Sequence, residues 1–233
     1  MIIGLSGKIG TGKDTVGQII QILTHNPSFN SKQVEEHIRI NSVNYYIGST
    51  WQIKKFAGKL KQIVALLTGC TVEDLESQEF KQKQLPEDWW HNNGWADIPE
   101  KELVSWTYRE LLQKLGTEVM RNKIHQNVWV NALFADYKKD LSITTNHPRS
   151  EYLSTAYPNW IITDMRFENE AEAIKKRNGL LIRIERMGLS ESNHPSETAL
   201  DKYLEFDYTI YNNETIGDLI DEVRTILKLE RII

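Results

Sequence analysis

Cysteine occurs once in the 233 residues, at Cys70, so no intramolecular disulfide is available and the fold must rest on its core. Long hydrophobic runs are missing too: no apolar stretch approaches the roughly 18 residues that span a bilayer. The chain opens without a charged-then-apolar leader, and a cytoplasmic location is the resulting expectation. Positive charge is not in excess. Lys and Arg number 28 against 32 Asp and Glu, a net charge of -4, so neither a nucleic-acid polymer nor an anionic membrane is the expected partner. Internal repeats and low-complexity tracts are absent, and His194 has no Cys or His companions at metal spacing, which argues against zinc. Cys70, between Gly69 and Thr71 at an expected helix end, reads as a partly packed small residue rather than a nucleophile. A hydrophobic content of 40% suffices for a real core, and one α/β domain over residues 1–233 is expected.

Against these absences stands one dense motif. Residues 7–13 read Gly-Lys-Ile-Gly-Thr-Gly-Lys and follow the apolar run Ile2–Leu5, a first strand, while Val16, Ile19, Ile20 and Leu23 mark the apolar face of a following helix. This is a complete phosphate-binding loop. Glycines let the backbone turn its amides toward phosphates, and Lys13 reaches the β and γ oxygens, so a nucleoside triphosphate is the implied ligand. A dinucleotide fold fits poorly, because Gly10-Thr11-Gly12 lacks a third glycine at the required offset and gives Lys13 nothing to do. At the position where a Ser or Thr hydroxyl usually meets Mg²⁺ the chain has Asp14, with Thr15 one step later.

Further strands are expected at Trp51–Phe56, Trp160–Thr163, Leu180–Glu185 and Phe206–Tyr211, alternating with helical periodicity. That alternation predicts a parallel five-stranded sheet flanked by helices. Polar stretches at 25–49 and 77–105, the second carrying Trp89, Trp90, Trp95 and Trp106, read as insertions, and Asp140–Pro158 reads as a mobile surface loop. A helix is expected from about Thr107 to Met120. Thr107 and Glu110 have capping-box spacing, and Tyr108, Leu111, Leu112, Leu115 and Val119 share one side. Its other side aligns Arg109, Gln113 and Gly116, which suits a ligand lying along the helix or, equally, a solvated face with a chance glycine. Thr215 and Asp218 cap a last helix whose stripe, Ile216, Leu219, Ile220, Val223, Ile226 and Leu227, marks it as structural.

The strand at Trp160–Thr163 leads into Asp164-Met165-Arg166 at the carboxyl edge of the sheet, where open α/β folds bind ligands. Asp164 stands where an acid can hold Mg²⁺ through water or orient an acceptor, the alternative being a cap for the helix from Glu168 to Asn178. Arg166 offers a bidentate anion clamp that Glu170, one turn on, is placed to hold. A strand ending at Arg186 and opening into a polar stretch predicts a lid-like segment over 186–198.

Taken together, Gly12 to Thr15, Phe56-Ala57 with Leu60-Lys61, Gln113 through Gly116-Thr117-Glu118 to Arg121 and Trp129, Asp164 to Phe167 with Asn169-Glu170, and His194 to Glu197 with Asp207 and Asn212 resemble the phage-type deoxynucleoside monophosphate kinases. The resemblance covers most of the chain; the loop is shared with many P-loop proteins, and the Gly-Thr-Glu, Asp-x-Arg-Phe and His-Pro-Ser-Glu stretches in that order carry its specificity. It implies a P-loop, adenylate-kinase-like fold with a helical substrate-binding insertion, in which ATP with Mg²⁺ phosphorylates a (deoxy)nucleoside monophosphate, in the host cytoplasm if the chain is phage-encoded. On that footing Gly7, Gly10, Thr11, Gly12, Lys13, Asp14 and Thr15 bind ATP, and Asp14 or Thr15 holds the metal with Asp164 nearby. Arg166, Arg109 and Arg121 take the acceptor phosphate, and Arg186 closes over the transferring group. The resemblance alone brings in Gly116, Thr117 and Trp129 on the acceptor side and Asn212 in the loop beside the ATP base, and it joins Gln113 and Glu170 to the acceptor set; the insertions at 25–49 and 77–105 are expected on the acceptor side, although 25–49 has no counterpart in the family, and Trp129 reads equally as a core aromatic. Small nucleotides are the implied partners and a homodimer stays open. The alternatives are a kinase for another small phosphorylated metabolite, with Asp164 as base, and an NTP-hydrolysing regulatory or motor ATPase.

Overall fold

The central strands form where the chain is apolar on both faces, as a sheet covered by helices on both sides requires. The computed structural model describes residues 1–40, 51–89, 91–92, 103–139, 156–189 and 195–233. Trp90, Trp95, His194 and most of the Asp140–Pro158 stretch lie outside them.

Seven strands are present among the described residues: β1 (Ile2–Ser6), β2 (Trp51–Lys54), β3 (His91–Asn92), β4 (Leu103–Val104), β5 (Asn159–Met165), β6 (Leu180–Glu185) and β7 (Tyr208–Tyr211). Five of them build one all-parallel sheet in the order β2-β5-β1-β6-β7. The expected five-stranded parallel sheet is therefore found. Central β1 is buried along its whole length, so the loop that follows it emerges at the middle of the carboxyl edge. The helices are α1 (Lys13–His25), α2 (Ser31–Arg39), α3 (Gly58–Thr68), α4 (Gln78–Lys81), α5 (Tyr108–Gln113), α6 (Val128–Phe134), α7 (Glu168–Lys175), α8 (Pro195–Thr198) and α9 (Ile216–Leu229).

The described residues divide into two compact units. In the first, Met1–Lys55 with Phe134–Ile233, α1 buries Val16, Ile19, Ile20 and Leu23 in a core shared with β1, β5, β6 and α9. Thr215 and Asp218 cap α9 reciprocally, and Leu219, Ile220, Val223, Ile226 and Leu227 are buried, as the stripe predicts. Part of the polar stretch 25–49 is helical: Asn30 and Gln33 form a capping box, and α2 packs Val34 against α1 and α9. Two basic residues, Lys54 and Lys55, follow the β2 apolar run where Phe56 was expected to end it.

The second unit, Phe56–Leu133, is mostly helical, with the antiparallel pair β3–β4 added. The helix expected from Thr107 to Met120 is corrected by the structure. Its Thr107–Glu110 capping box is present, but α-helix ends at Gln113 and the backbone continues with π-helical winding from Lys114 to Ile124. Winding through i→i+5 bonds moves the buried face to Leu111, Gly116 and Arg121, five residues apart, and leaves Val119 45% exposed. The α-helical period therefore misplaced Val119.

Candidate active site

The phosphate loop bridges β1 and α1, and two of its glycines are fixed by close approach. Gly12 has φ 97°, and a Cβ there would lie 2.7 Å from Asn212 Nδ2. Gly7 has φ 153°, and a Cβ would lie 2.4 Å from the Ile184 carbonyl oxygen. A side chain at Gly7 would meet strand backbone, and one at Gly12 would strain the left-handed backbone and displace the Asn212 side chain. Thr11, buried, donates its hydroxyl to the Lys8 carbonyl at 3.0 Å and accepts at its own carbonyl from Asn212 Nδ2 at 2.8 Å. Asn212 thus braces the loop from the end of β7.

Lys13 folds back over this loop, donating to the carbonyls of Gly7 at 2.6 Å and Lys8 at 2.7 Å. Burial, and after it the Arg166 guanidinium, lower its pKa to about 8, with Asp14 and Asp164 pulling the other way. Two cations therefore share one place. Asp14, one residue on, accepts from the Thr163 hydroxyl at 2.8 Å and lies 3.2 Å from the Lys55 ammonium. Dehydration by its neighbours raises the Asp14 carboxyl, but Lys55, Thr163 and Lys13 outweigh it and hold it below the usual carboxylate range. Thr15 is half-buried in the first turn of α1.

Asp164 lies inside β5, half-buried, near enough to Lys13 to act on its charge. It is not the cap of the next helix. The N-cap of α7 is Phe167, and the buried Glu170 carboxylate reaches back to accept from the Phe167 N–H at 3.2 Å and the Arg166 N–H at 2.8 Å. Glu170 thus holds the Arg166 backbone in place. That guanidinium is held by Glu197, paired through Nη1, with the Ser196 hydroxyl and carbonyl each at 3.3 Å. Arg186 is exposed just past β6, whereas Arg183 points Nη1 at the Leu200 carbonyl, 3.0 Å away, and Nε at Glu185, 2.7 Å away.

The acceptor-side residues fall in the second unit, apart from Arg166 and Glu170 in the first. Arg109 donates through Nη2 to Gln78 Oε1 at 2.5 Å, and Gln113 and Thr117 are half-buried. Gly116 meets protein rather than open space: a Cβ there would sit 2.6 Å from Leu60 Cδ2, so the glycine lets α3 approach. Trp129 is 8% exposed and donates its indole N–H to the Gly116 carbonyl at 2.8 Å, which makes it a core aromatic that holds that turn. Arg121 is buried as well.

Sequence reasoning passed over Lys55, Thr163 and Glu197 as site members. The Lys54-Lys55 pair closing an apolar run at the carboxyl edge was a usable signal for the first; nothing local points the other two at the loop.

Among the described residues no cluster of three or more His, Cys, Asp or Glu forms a metal site, and no helix is long and apolar enough to cross a membrane. For Mg²⁺ the donor set still fits. That ion keeps most of its waters and takes one or two carboxylates besides phosphate oxygens, and Asp14 already faces a cation, the Lys55 ammonium.

A family model described as deoxynucleotide monophosphate kinase matches residues 53–223. A putative deoxynucleotide monophosphate kinase of Acanthamoeba polyphaga mimivirus is 29% identical over 73% of this chain and 79% of its own length. The deoxynucleoside-5'-monophosphate kinase of Escherichia phage T5 is 25% identical over 88% of this chain and 87% of its own. The deoxynucleotide monophosphate kinase of Enterobacteria phage T4 is 25% identical over 59% of this chain, a match spanning about half, 52%, of that relative. The family match begins after the phosphate loop, so loop and family are independent observations.

Proposed function

The chain belongs to the deoxynucleotide monophosphate kinase family, and from that membership we propose that it transfers the γ-phosphoryl group of ATP to a deoxynucleoside monophosphate, giving the diphosphate. The observation that carries the reading is the pair of cations at the phosphate loop, Lys13 lowered to about 8 by burial and by Arg166. Two positive charges gathered at a glycine-rich phosphate loop suit further negative charge there, and a transferring phosphoryl group supplies it.

Phosphoryl transfer needs positioning and charge neutralisation more than a base, because the attacking monophosphate oxygen is already ionised. Loop amides and Lys13 hold the donor phosphates. Arg166, set in place by Glu170 and Glu197, neutralises charge as it spreads over the transferring oxygens. Asp14, with Thr15 and Asp164, would hold Mg²⁺, which would supply charge neutralisation to the donor phosphates. Arg109, Gln113, Thr117 and Arg121 remain proposed for the acceptor, and Arg186 for closure over the phosphates. Gly116 and Trp129 support that side by packing. The working partners are then small nucleotides, and the cytoplasm is the compartment in which that pool lies.

An ATP-coupled assay against ribo- and deoxynucleoside monophosphates tests the reading. Transfer to at least one deoxynucleoside monophosphate is expected, and it should vanish in Lys13→Ala and Arg166→Ala while circular dichroism shows both folded. ATP hydrolysis that ignores every acceptor would instead make the protein a hydrolysing switch. For the metal, Asp14→Ala should raise the Mg²⁺ concentration needed for half-maximal rate; an unchanged titration assigns the ligand to Thr15.

A further inference from the structure

Glu197 is the acid that completes the phosphate end of the first unit, although it comes from α8, far along the chain from the loop. Its side chain is 5% exposed, an unusual setting for a carboxylate without firm partners. Among the described residues it has two partners. Oε2 accepts from the backbone N–H of Ile9 in the phosphate loop at 2.9 Å, and Oε1 accepts from Nη1 of Arg166. One carboxylate therefore ties the loop and the arginine to each other.

The stretch that carries it is anchored independently. The Leu200 carbonyl accepts from Arg183, and Asp201 lies 3.7 Å from Lys8 and 3.8 Å from Arg183. These contacts fix the Glu197 backbone to β6 and the loop without using the carboxylate itself. A guanidinium has five N–H donors in a planar fork, and the contacts to Glu197 and Ser196 run through Nη1. Held on that one nitrogen, Arg166 keeps its remaining donors for a phosphoryl group while losing the freedom to swing away.

We propose that Glu197 is a positioning residue for phosphoryl transfer, locking the Arg166 guanidinium to the Ile9 amide so that the arginine meets the transferring group without reorganising. This rests on the kinase reading. Its physical content is entropic and electrostatic: a long side chain is immobilised before the reaction, and a buried charge-assisted hydrogen bond fixes its direction. The rival is that Glu197 merely occupies a phosphate place in the nucleotide-free protein and competes with ATP. The two differ in sign.

The test compares the full chain with Glu197→Gln and Glu197→Asp. Thermal melting establishes that each variant is folded, calorimetry gives the ATP dissociation constant without acceptor, and steady-state kinetics separates kcat from KM. Gln, which cannot serve both donors as an anion, should lower kcat roughly 10- to 100-fold and leave ATP affinity within about threefold. Asp, which keeps the charge on a shorter arm, should recover part of the loss. In ¹⁵N NMR the Arg166 side-chain N–H signals should be distinct in the native protein and merge with the mobile arginines in the Gln variant. That signal does not depend on turnover, so an inactive native protein with a well-ordered Arg166 defeats the kinase reading alone. Tighter ATP binding with unchanged kcat, or an Arg166 signal indifferent to the substitution, overturns the proposal.

Discussion

Lys13 donates to two carbonyls of its own loop and is pushed down to about 8 by burial and by Arg166, so in the nucleotide-free protein its proton is loosely held near that pH. The sign of the linkage follows. Because the folded value lies below 10.5, the ordinary lysine value, the charged lysine costs the nucleotide-free fold stability below about 8, and the cost disappears as pH rises toward 10.5. A bound polyphosphate reverses the effect by favouring the ammonium. ATP binding at pH 8 to 9 is therefore expected to take up a proton, seen in calorimetry as a binding enthalpy that varies with buffer ionisation enthalpy, and the uptake should fade toward pH 6. Lys13→Met should abolish it. The identity of this lysine was legible from spacing alone, since Gly7, Gly12 and Lys13 recur at fixed intervals in one continuous loop. Its lowered pKa was not, because Arg166 is remote in sequence.

Elements show where periodicity serves and where it fails. Capping boxes at Thr107 and Thr215 involve residues three apart, so the sequence alone located both. Thr215→Ala is expected to cost about 1 kcal/mol of stability, read as a lowered denaturation midpoint with an unchanged m-value. After Gln113 the chain departs from α-helical winding, and the buried face follows residues five apart, a change no local propensity announces. Gly116 gives the consequence. Alanine there would press on Leu60 Cδ2, 2.6 Å away, and overpacking of this kind costs about 1–3 kcal/mol. The variant should melt earlier, and combined with Leu60→Ala the total loss should be smaller than the sum of the two single losses, the coupling expected of two residues in contact. A ligand-binding glycine would show no such coupling.

Across the molecule, the sheet core and the phosphate end of the first unit draw on the same strands through different residues. Ile220 is fully buried on α9, among the core side chains and not among those that meet the loop. Ile220→Ala is expected to destabilise by about 2–5 kcal/mol while the folded fraction keeps its kcat, measured well below the melting transition. A matching fall in kcat would mean that α9 reaches the site.

The sequence by itself determined the parallel α/β fold, the phosphate loop, the structural last helix and the acid and arginine after the third expected strand. Each is written in neighbouring residues, as an apolar period, a glycine spacing or a strand end. Tertiary structure alone decided that Lys55 and Thr163 meet Asp14, that Asn212 braces Thr11, that Trp129 is held in the core by the Gly116 carbonyl and that Glu197 grips both Ile9 and Arg166. The physical reason is common to all four. These contacts join residues between 13 and 201 positions apart, and their geometry is set by strand order and helix packing, which no local pattern of side chains encodes.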